Sequence, residues 1–337
     1  MSKVDYIGNK AVVEYLNRAI DSQNFSHAYL FVGPEKIGKS TLAYQFAKSA
    51  LCLNPSIKSA IGPCNDCNSC IQFDKHVHAD FHVLEKSDDK ITIPVEALRI
   101  FQRQFNKTTF VSNRKVGIIN TADALNIEGS NALLKTLEEP PGDSIIILIS
   151  SSTESLPLTV ISRCQIIPFS LVQKSEIKEM LLRNKCANTD ASIISSLSMG
   201  KPGVAVELFE NPSLLDDYTN DISNVINIYS KNIPDAFNYV QQYLSSKKYQ
   251  ERLDNARQLL HHINIVLHDC VLIKNNFEKY IVNTQEVSSL RKLASNFRNS
   301  ELVKHQKMIN LIMTKFNNGI NPQLALENYF LTMKFNA

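Results

Sequence analysis

Residues 33–40, Gly33-Pro34-Glu35-Lys36-Ile37-Gly38-Lys39-Ser40, fit G-x-x-x-x-G-K-[ST], and their flanks restrict the fold more than any other feature of the chain. Before them stands the short apolar run Ala28-Tyr29-Leu30-Phe31-Val32, which reads as a buried strand. After them, Lys39 to Leu51 reads as a helix rich in Ala and Leu. A strand that feeds a glycine-containing turn into a helix lets backbone N–H groups curl around phosphates, with the partial positive charge of the helix start behind them. Lys39 is placed to reach β- and γ-phosphates and Ser40 to offer its hydroxyl to Mg²⁺. Gly33, Gly38, Lys39 and Ser40 are therefore the candidate residues for ATP or ADP with Mg²⁺. With ten glycines in 337 residues, a chance match is uncommon.

The rest of the first half keeps the strand–helix rhythm that this loop demands. Lys115-Val116-Gly117-Ile118-Ile119 and Ser144-Ile145-Ile146-Ile147-Leu148-Ile149 are apolar without alternation, as parallel strands covered on both faces must be. Helices are expected at Ala11–Ser22, at Val95–Phe105 behind Pro94, and at Ile127–Glu139, the last stopped by Pro140-Pro141. Leu156 to Ile161 reads as a further buried strand at the edge of the sheet, just ahead of Arg163. Beyond about Phe169 the strand signal ends. Short helices at Ser175–Asn184 and Asp190–Met199 precede Gly200-Lys201-Pro202-Gly203 and a helix from Val204, and from about Asp216 four or five longer amphipathic helices follow. The expected fold is α/β, then all-α.

Residues 52–80 interrupt this rhythm with Cys52, Cys64, Cys67 and Cys70. Two C-x-x-C steps and a fourth thiol suit one tetrahedral structural Zn²⁺, with a [4Fe–4S] cluster as the rival occupant. Seven cysteines without the apolar core of a signal peptide at Met1–Tyr6 point to a reducing, cytoplasmic compartment, where disulfides are disfavoured. No apolar run reaches the ~18–20 residues of a membrane span. His76, His78 and His82 read as ordinary histidines, because four sulfurs already close a metal site, and Cys186 and Cys270 read as core thiols. A net charge of +3 is too small for a chain that coats nucleic acid by bulk charge. Arg99, Arg103 and Lys107 share a helix face by their spacing, which fits phosphate contacts and a solvated face equally well.

The phosphate loop alone does not imply hydrolysis. A P-loop ATPase needs a carboxylate at the end of a neighbouring strand to hold Mg²⁺ and orient water. The strand at 116–119 ends instead in Asn120-Thr121, and Asp123 falls three residues further, on the turn into the next helix.

Several segments in one order resemble the clamp-loader branch of the AAA+ ATPases, the subunits associated with bacterial DNA polymerase III. They are Ser26-His27-Ala28-Tyr29-Leu30-Phe31 into the P-loop, the four-cysteine insertion, Asn131-Ala132-Leu133-Leu134-Lys135-Thr136-Leu137-Glu138-Glu139-Pro140-Pro141, and Ile161-Ser162-Arg163-Cys164-Gln165. The match is strong to about residue 208 and weak beyond, through Asn321-Pro322-Gln323-Leu324-Ala325-Leu326-Glu327. The resemblance implies an AAA+ P-loop NTPase module at 1–168 with a zinc-binding insertion near 52–80. It implies a small helical lid at 169–210 and a C-terminal helical collar domain at 211–337. It also implies partners: clamp-loader subunits of the γ/τ and δ types in a hetero-pentameric ring, the sliding clamp, and primer–template DNA through the complex. Arg163 falls on the family's arginine finger, which reaches a neighbour's ATP. The motor subunits' Asp-Glu pair falls on Asn120-Thr121 and their lid arginine on Gly203. A subunit of the polymerase holoenzyme without ATPase activity of its own is therefore expected. The alternatives are an ATP-hydrolysing γ/τ-like motor using Asp123, and a stand-alone P-loop kinase or zinc-ribbon DNA-binding protein.

Overall fold

The computed structural model describes residues 6–54, 62–87, 92–246, 248–316 and 319–334; Met1–Asp5, invoked above, lie outside them. Two compact units emerge. One runs to Lys185 and takes in Gly200–Val206, and the other comprises Cys186–Met199 and the chain from Glu207 onward.

The first unit is built on α1 (Lys10–Ser22), β1 (Ala28–Val32), α2 (Lys39–Leu51), α3 (Asn68–Asp74), β2 (Phe81–Leu84), α4 (Val95–Phe105), β3 (Lys115–Ile119), α5 (Ile127–Glu138), β4 (Ser144–Ser150), α6 (Leu158–Ile161), β5 (Gln165–Pro168) and α7 (Lys174–Arg183). The strands form one parallel sheet in the order β2-β3-β4-β1-β5. In register, Leu30 of β1 faces Leu148 of β4 on one side and Ile166 of β5 on the other. β3 and β4 are buried along their whole length, which is why they read as unbroken apolar runs. One core, on the α1 and α2 side, gathers Leu16, Tyr29, Phe31, Phe46 and Ile147; the other, toward α4 and α5, gathers Leu30, Leu98, Phe101, Leu133 and Leu148.

Two strands escaped the sequence reading and one expected strand is absent. β2 and β5 are four-residue edge strands carrying partly exposed residues, too short and too mixed to signal themselves. The run Leu156–Ile161 is not a strand: Pro157 opens the single-turn helix α6, whose Leu158 is 81% exposed, and Arg163 follows that helix and precedes β5. α4 ends at Phe105, so Lys107 lies beyond the helix that carries Arg99 and Arg103.

α8 (Asn188–Leu197) belongs to the second unit, and α9 (Pro202–Glu210) contributes residues to both. The second unit continues with α10 (Pro212–Ile228), α11 (Ile233–Tyr243), α12 (Tyr249–Lys274), α13 (Val287–Ser295), α14 (Asn299–Phe316) and α15 (Pro322–Lys334), six α-helices among the described residues where the sequence suggested four or five. Asn232 caps α11, its side chain accepting from the Asp235 N–H, and Pro234 sits in the first turn, so the break after α10 is encoded locally. α12 forms the spine, burying Leu253, Leu259, Leu260, Ile263, Val266 and Cys270 against its neighbours. Asp269, fully buried on this helix, accepts from the backbone N–H groups of Val282 and Asn283, each at 2.9 Å, and fixes the segment leading to α13. Cys186 is only half-buried, unlike Cys270.

Candidate functional site

The turn between β1 and α2 opens onto a cavity of about 270 Å³ at the carboxyl end of the sheet, where α/β folds place their ligands. Lys39, Ser40, Asn120, Asp123, Ser151 and Gly203 all line it. Gly33 holds a φ of 154°, and a Cβ there would lie 2.6 Å from the Phe169 carbonyl oxygen, so this corner admits glycine alone. The buried Lys39 ammonium donates to the carbonyl oxygens of Gly33 and, at 2.7 Å, Pro34. Burial pulls its pKa below the ordinary lysine value, while Glu35 and Asp123 pull the other way.

Around Ser40 the donors are neutral. Its Oγ lies 3.3 Å from Asn120 Oδ1, and the Asn120 amide in turn donates to Glu85 at the end of β2. An asparagine here can hold a hydroxyl in place but brings no charge to a cation. Asp123 was only partly legible. A 3-10 turn at Ala122–Ala124, entered through Thr121 at φ 59°, turns Asp123 back to the cavity, where its Oδ2 accepts from Ser151 Oγ at 2.7 Å. Gly203 is pressed against the phosphate loop. Its N–H donates to the Lys36 carbonyl oxygen at 2.8 Å, and a Cβ would approach the same oxygen to 2.8 Å. No side chain, an arginine included, fits at this position without displacing the loop.

α2 begins at the phosphate loop and its C-terminal end leads into the four cysteines. Cys52, Cys64, Cys67 and Cys70 bring their sulfurs within 4.8 Å of one another, with Cys52–Cys64 at 3.5 Å, Cys64–Cys70 at 3.9 Å and Cys52–Cys67 at 4.0 Å. A tetrahedron of sulfurs about 2.3 Å from one Zn²⁺ has edges of about 3.8 Å, so this donor set could hold zinc. A cluster of four irons set between the thiolates would hold them farther apart. Backbone N–H groups of Cys64, Cys67 and Cys70 point at the sulfurs of Cys52, Cys64 and Cys67, at 3.3–3.5 Å. Burial pushes the Cys67 thiol up, but the N–H groups of Cys70 and Leu53 and the thiols of Cys64 and Cys70 outweigh it and bring it down to about 6. Cys52 and Cys70 are pushed up by burial, so the set favours thiolate unevenly until a cation shares its charge.

Beside the cluster lies a buried network that sequence reasoning passed over. His78 is buried, accepts the Asp80 N–H at Nδ1 and places Nε2 2.9 Å from Ser69 Oγ, which identifies the neutral Nε2–H tautomer. The hydroxyls of Ser69 and Ser112 both donate to the Leu51 carbonyl at the end of α2. Asp80 accepts from three consecutive N–H groups, Phe110, Val111 and Ser112, at 2.7–2.8 Å. His82 is half-buried and His76 exposed, as ordinary histidines are.

Arg163 stands apart from both sites. Its guanidinium lies 2.6 Å from Glu138 at the end of α5 and donates to the Thr159 carbonyl at 2.8 Å. Arg103 and Arg99 are engaged with Glu96 and Glu128 on an exposed helix face, which favours the solvated reading of that pair. Among the described residues no helix is long and apolar enough to cross a membrane.

Two family models match the chain: DNA polymerase III, delta subunit, over residues 8–173, and DNA polymerase III, delta subunit, C terminal, over residues 217–334. The DNA polymerase III subunit delta′ of Bacillus subtilis is 32% identical over 65% of this chain and 63% of its own length. The delta′ subunit of Pseudomonas aeruginosa is 39% identical over 41% of this chain and 42% of its own. The tau subunit of Bacillus subtilis is 34% identical over 51% of this chain and 30% of its own. The aligned part of this chain thus spans less than two thirds of each of these relatives. A solved structure, a DNA polymerase III gamma-subunit-related protein from Thermotoga maritima, is similar over 95% of this chain and 98% of its own with a TM-score of 0.54; at 16% identity the likeness is one of fold.

Proposed function

Because the chain belongs to the DNA polymerase III delta-subunit family, we propose that it is a delta′-type clamp-loader subunit. In this reading it helps load the sliding clamp onto primed DNA in the cytoplasm and does not hydrolyse ATP itself. The observation that carries the reading is the contrast inside one cavity. Lys39 and Ser40 remain, while the strand end offers Asn120 and the position of a lid arginine is Gly203 against the Lys36 carbonyl. Gly33, Gly38, Lys39 and Ser40 would bind the phosphates of ATP or ADP, Ser40 would meet Mg²⁺, and Asp123 would face that cation without a partner carboxylate lining the strand end. Cys52, Cys64, Cys67 and Cys70 would hold a structural Zn²⁺. The partners would be γ/τ- and δ-type subunits in a hetero-pentameric ring, with residues 169–210 as a lid and 211–337 as the collar.

Arg163 supplies the activity. Placed after α6 and at the sheet's edge, its guanidinium would enter a neighbour's nucleotide site and stabilise charge on the transferring γ-phosphate. Arg163→Ala should leave folding and assembly intact and lower clamp- and DNA-stimulated ATPase of the reconstituted complex. One site would lose a factor of ~10³–10⁵, diluted by the ring's other sites. Arg163→Lys should rescue poorly, because an ammonium lacks the planar fork. Wild-type loading by an assembled Arg163→Ala complex would remove the finger from this reading. Turnover by the isolated wild-type chain would favour the γ/τ-like motor instead.

A further inference from the structure

We propose that Glu138 is a positioning residue for Arg163: it fixes the guanidinium before a neighbour docks. The inference rests on the reading of Arg163 as a finger acting in trans. Glu138 closes α5, where the helix's partial negative charge disfavours a carboxylate, so its place is unfavourable locally. Its oxygen lies 2.6 Å from one terminal nitrogen of Arg163, and the other terminal nitrogen donates to the Thr159 carbonyl at 2.8 Å and lies 3.5 Å from Ser162 Oγ. The guanidinium is thus gripped from two elements, α5 and α6. Those elements are set against each other by a shared core containing Leu133, Leu137, Leu156 and Val160.

The pair does little for folding, since both side chains are 35–49% exposed and exposed ion pairs stabilise weakly. What it restricts is rotamer freedom. A free arginine loses that freedom on reaching an anion, and holding it beforehand moves the cost out of the docking step. Arginine has five N–H groups, and the three contacts described leave two for an incoming phosphate. Glu138 touches no nucleotide in this scheme; it acts through Arg163.

The test uses the full chain in the reconstituted clamp loader, with Glu138→Gln, Arg163→Ala and the double variant, assembly being checked by sizing. Glutamine keeps the shape and removes the charge. Glu138→Gln is expected to give about half to four fifths of the loss in stimulated kcat seen with Arg163→Ala, the roughly two- to fivefold effect of one ion pair on one site. The apparent KM for ATP should be unchanged, and the double variant should equal Arg163→Ala alone. If Arg163→Ala lowers kcat and Glu138→Gln does not, the positioning role is overturned while the finger stands. If Glu138→Gln lowers kcat equally in the Arg163→Ala background, Glu138 acts through the fold and the proposal is overturned. If Arg163→Ala itself has no effect, the finger reading fails and this inference with it.

Discussion

The two ends of α2 carry two sites in opposite condition. At its start stand the loop, the lysine and the serine, but the ammonium is satisfied by the loop's own carbonyls, the strand end is Asn120, and Gly203 packs against the Lys36 carbonyl with no room for a side chain. At its other end four sulfurs meet at single-ion spacing, ringed by backbone N–H groups and backed by a fully satisfied buried network. Hydrolysis needs charge placed where it develops and room for parts to move, whereas a structural metal needs only a closed set of ligands. The first site keeps Lys39 and Asp123 but has a neutral amide at the strand end; the second has all four of its sulfurs together. One helix thus joins a cluster held by contacts within its own loop to a cavity whose chemistry depends on which charges line it.

That contrast breaks most readily at the cysteines. Cys70→Ser should weaken zinc binding by more than ~100-fold, since losing a partner outside the coordination sphere already costs ~10–100-fold, and competition with a chromophoric chelator measures it. Protein purified without added zinc should carry close to one Zn²⁺ per chain; a well-folded, metal-free chain would end the comparison. Next in size, Asp80→Ala removes the shared acceptor of three N–H groups, buried at Ser112 and part-buried at Phe110 and Val111, and should cost about 2–4 kcal/mol in denaturant unfolding. Burial works against the Asp80 carboxylate, but those N–H groups and His78 hold its pKa below the ordinary value. A carboxylate depressed in the folded state contributes stability that is complete above its unfolded pKa, about 3.9, and is lost as pH falls through the folded value. The gap between wild type and Asp80→Asn should accordingly narrow as pH drops below about 4.

Smaller effects belong to the phosphate-loop end. Gly203→Arg would press a Cβ against the Lys36 carbonyl oxygen, and should destabilise by about 1–3 kcal/mol without creating hydrolysis. Smallest of all is Lys39→Ala, which should leave the isolated chain's steady-state hydrolysis unchanged from wild type. A wild-type rate that this substitution abolishes would place both ends of α2 on an equal footing.

The sequence disclosed what is fully buried and periodic. β1 and β3 fall where their apolar runs set them, because burial on both faces leaves little to blur the signal, and α2 and α4 fall where helical spacing set them. β2 and β5 were hidden because four residues at a sheet edge need few apolar side chains. Leu156–Ile161 misled for a related reason: its composition suits a strand, yet Pro157 begins a turn whose side chains face solvent. The cysteine ligands were legible from spacing, since they are neighbours along the chain. The links from Ser112 to Leu51 and Asp80 and from Glu138 to Arg163 were not, because they join residues far apart in sequence through single hydrogen-bonding atoms.

The anchoring of the cysteine loop also implies an order of events during synthesis. The four thiols lie within residues 52–70 and can meet once that short loop has closed, at small entropic cost. The Leu51 carbonyl, by contrast, waits for Ser112, 61 residues along the chain, and for the Asp80 carboxylate to gather the backbone beside it. A growing chain thus presents its metal ligands to the cell before it possesses the sheet on which they will rest. An ion bound by these thiols would be captured early, before the sheet that carries the loop has closed.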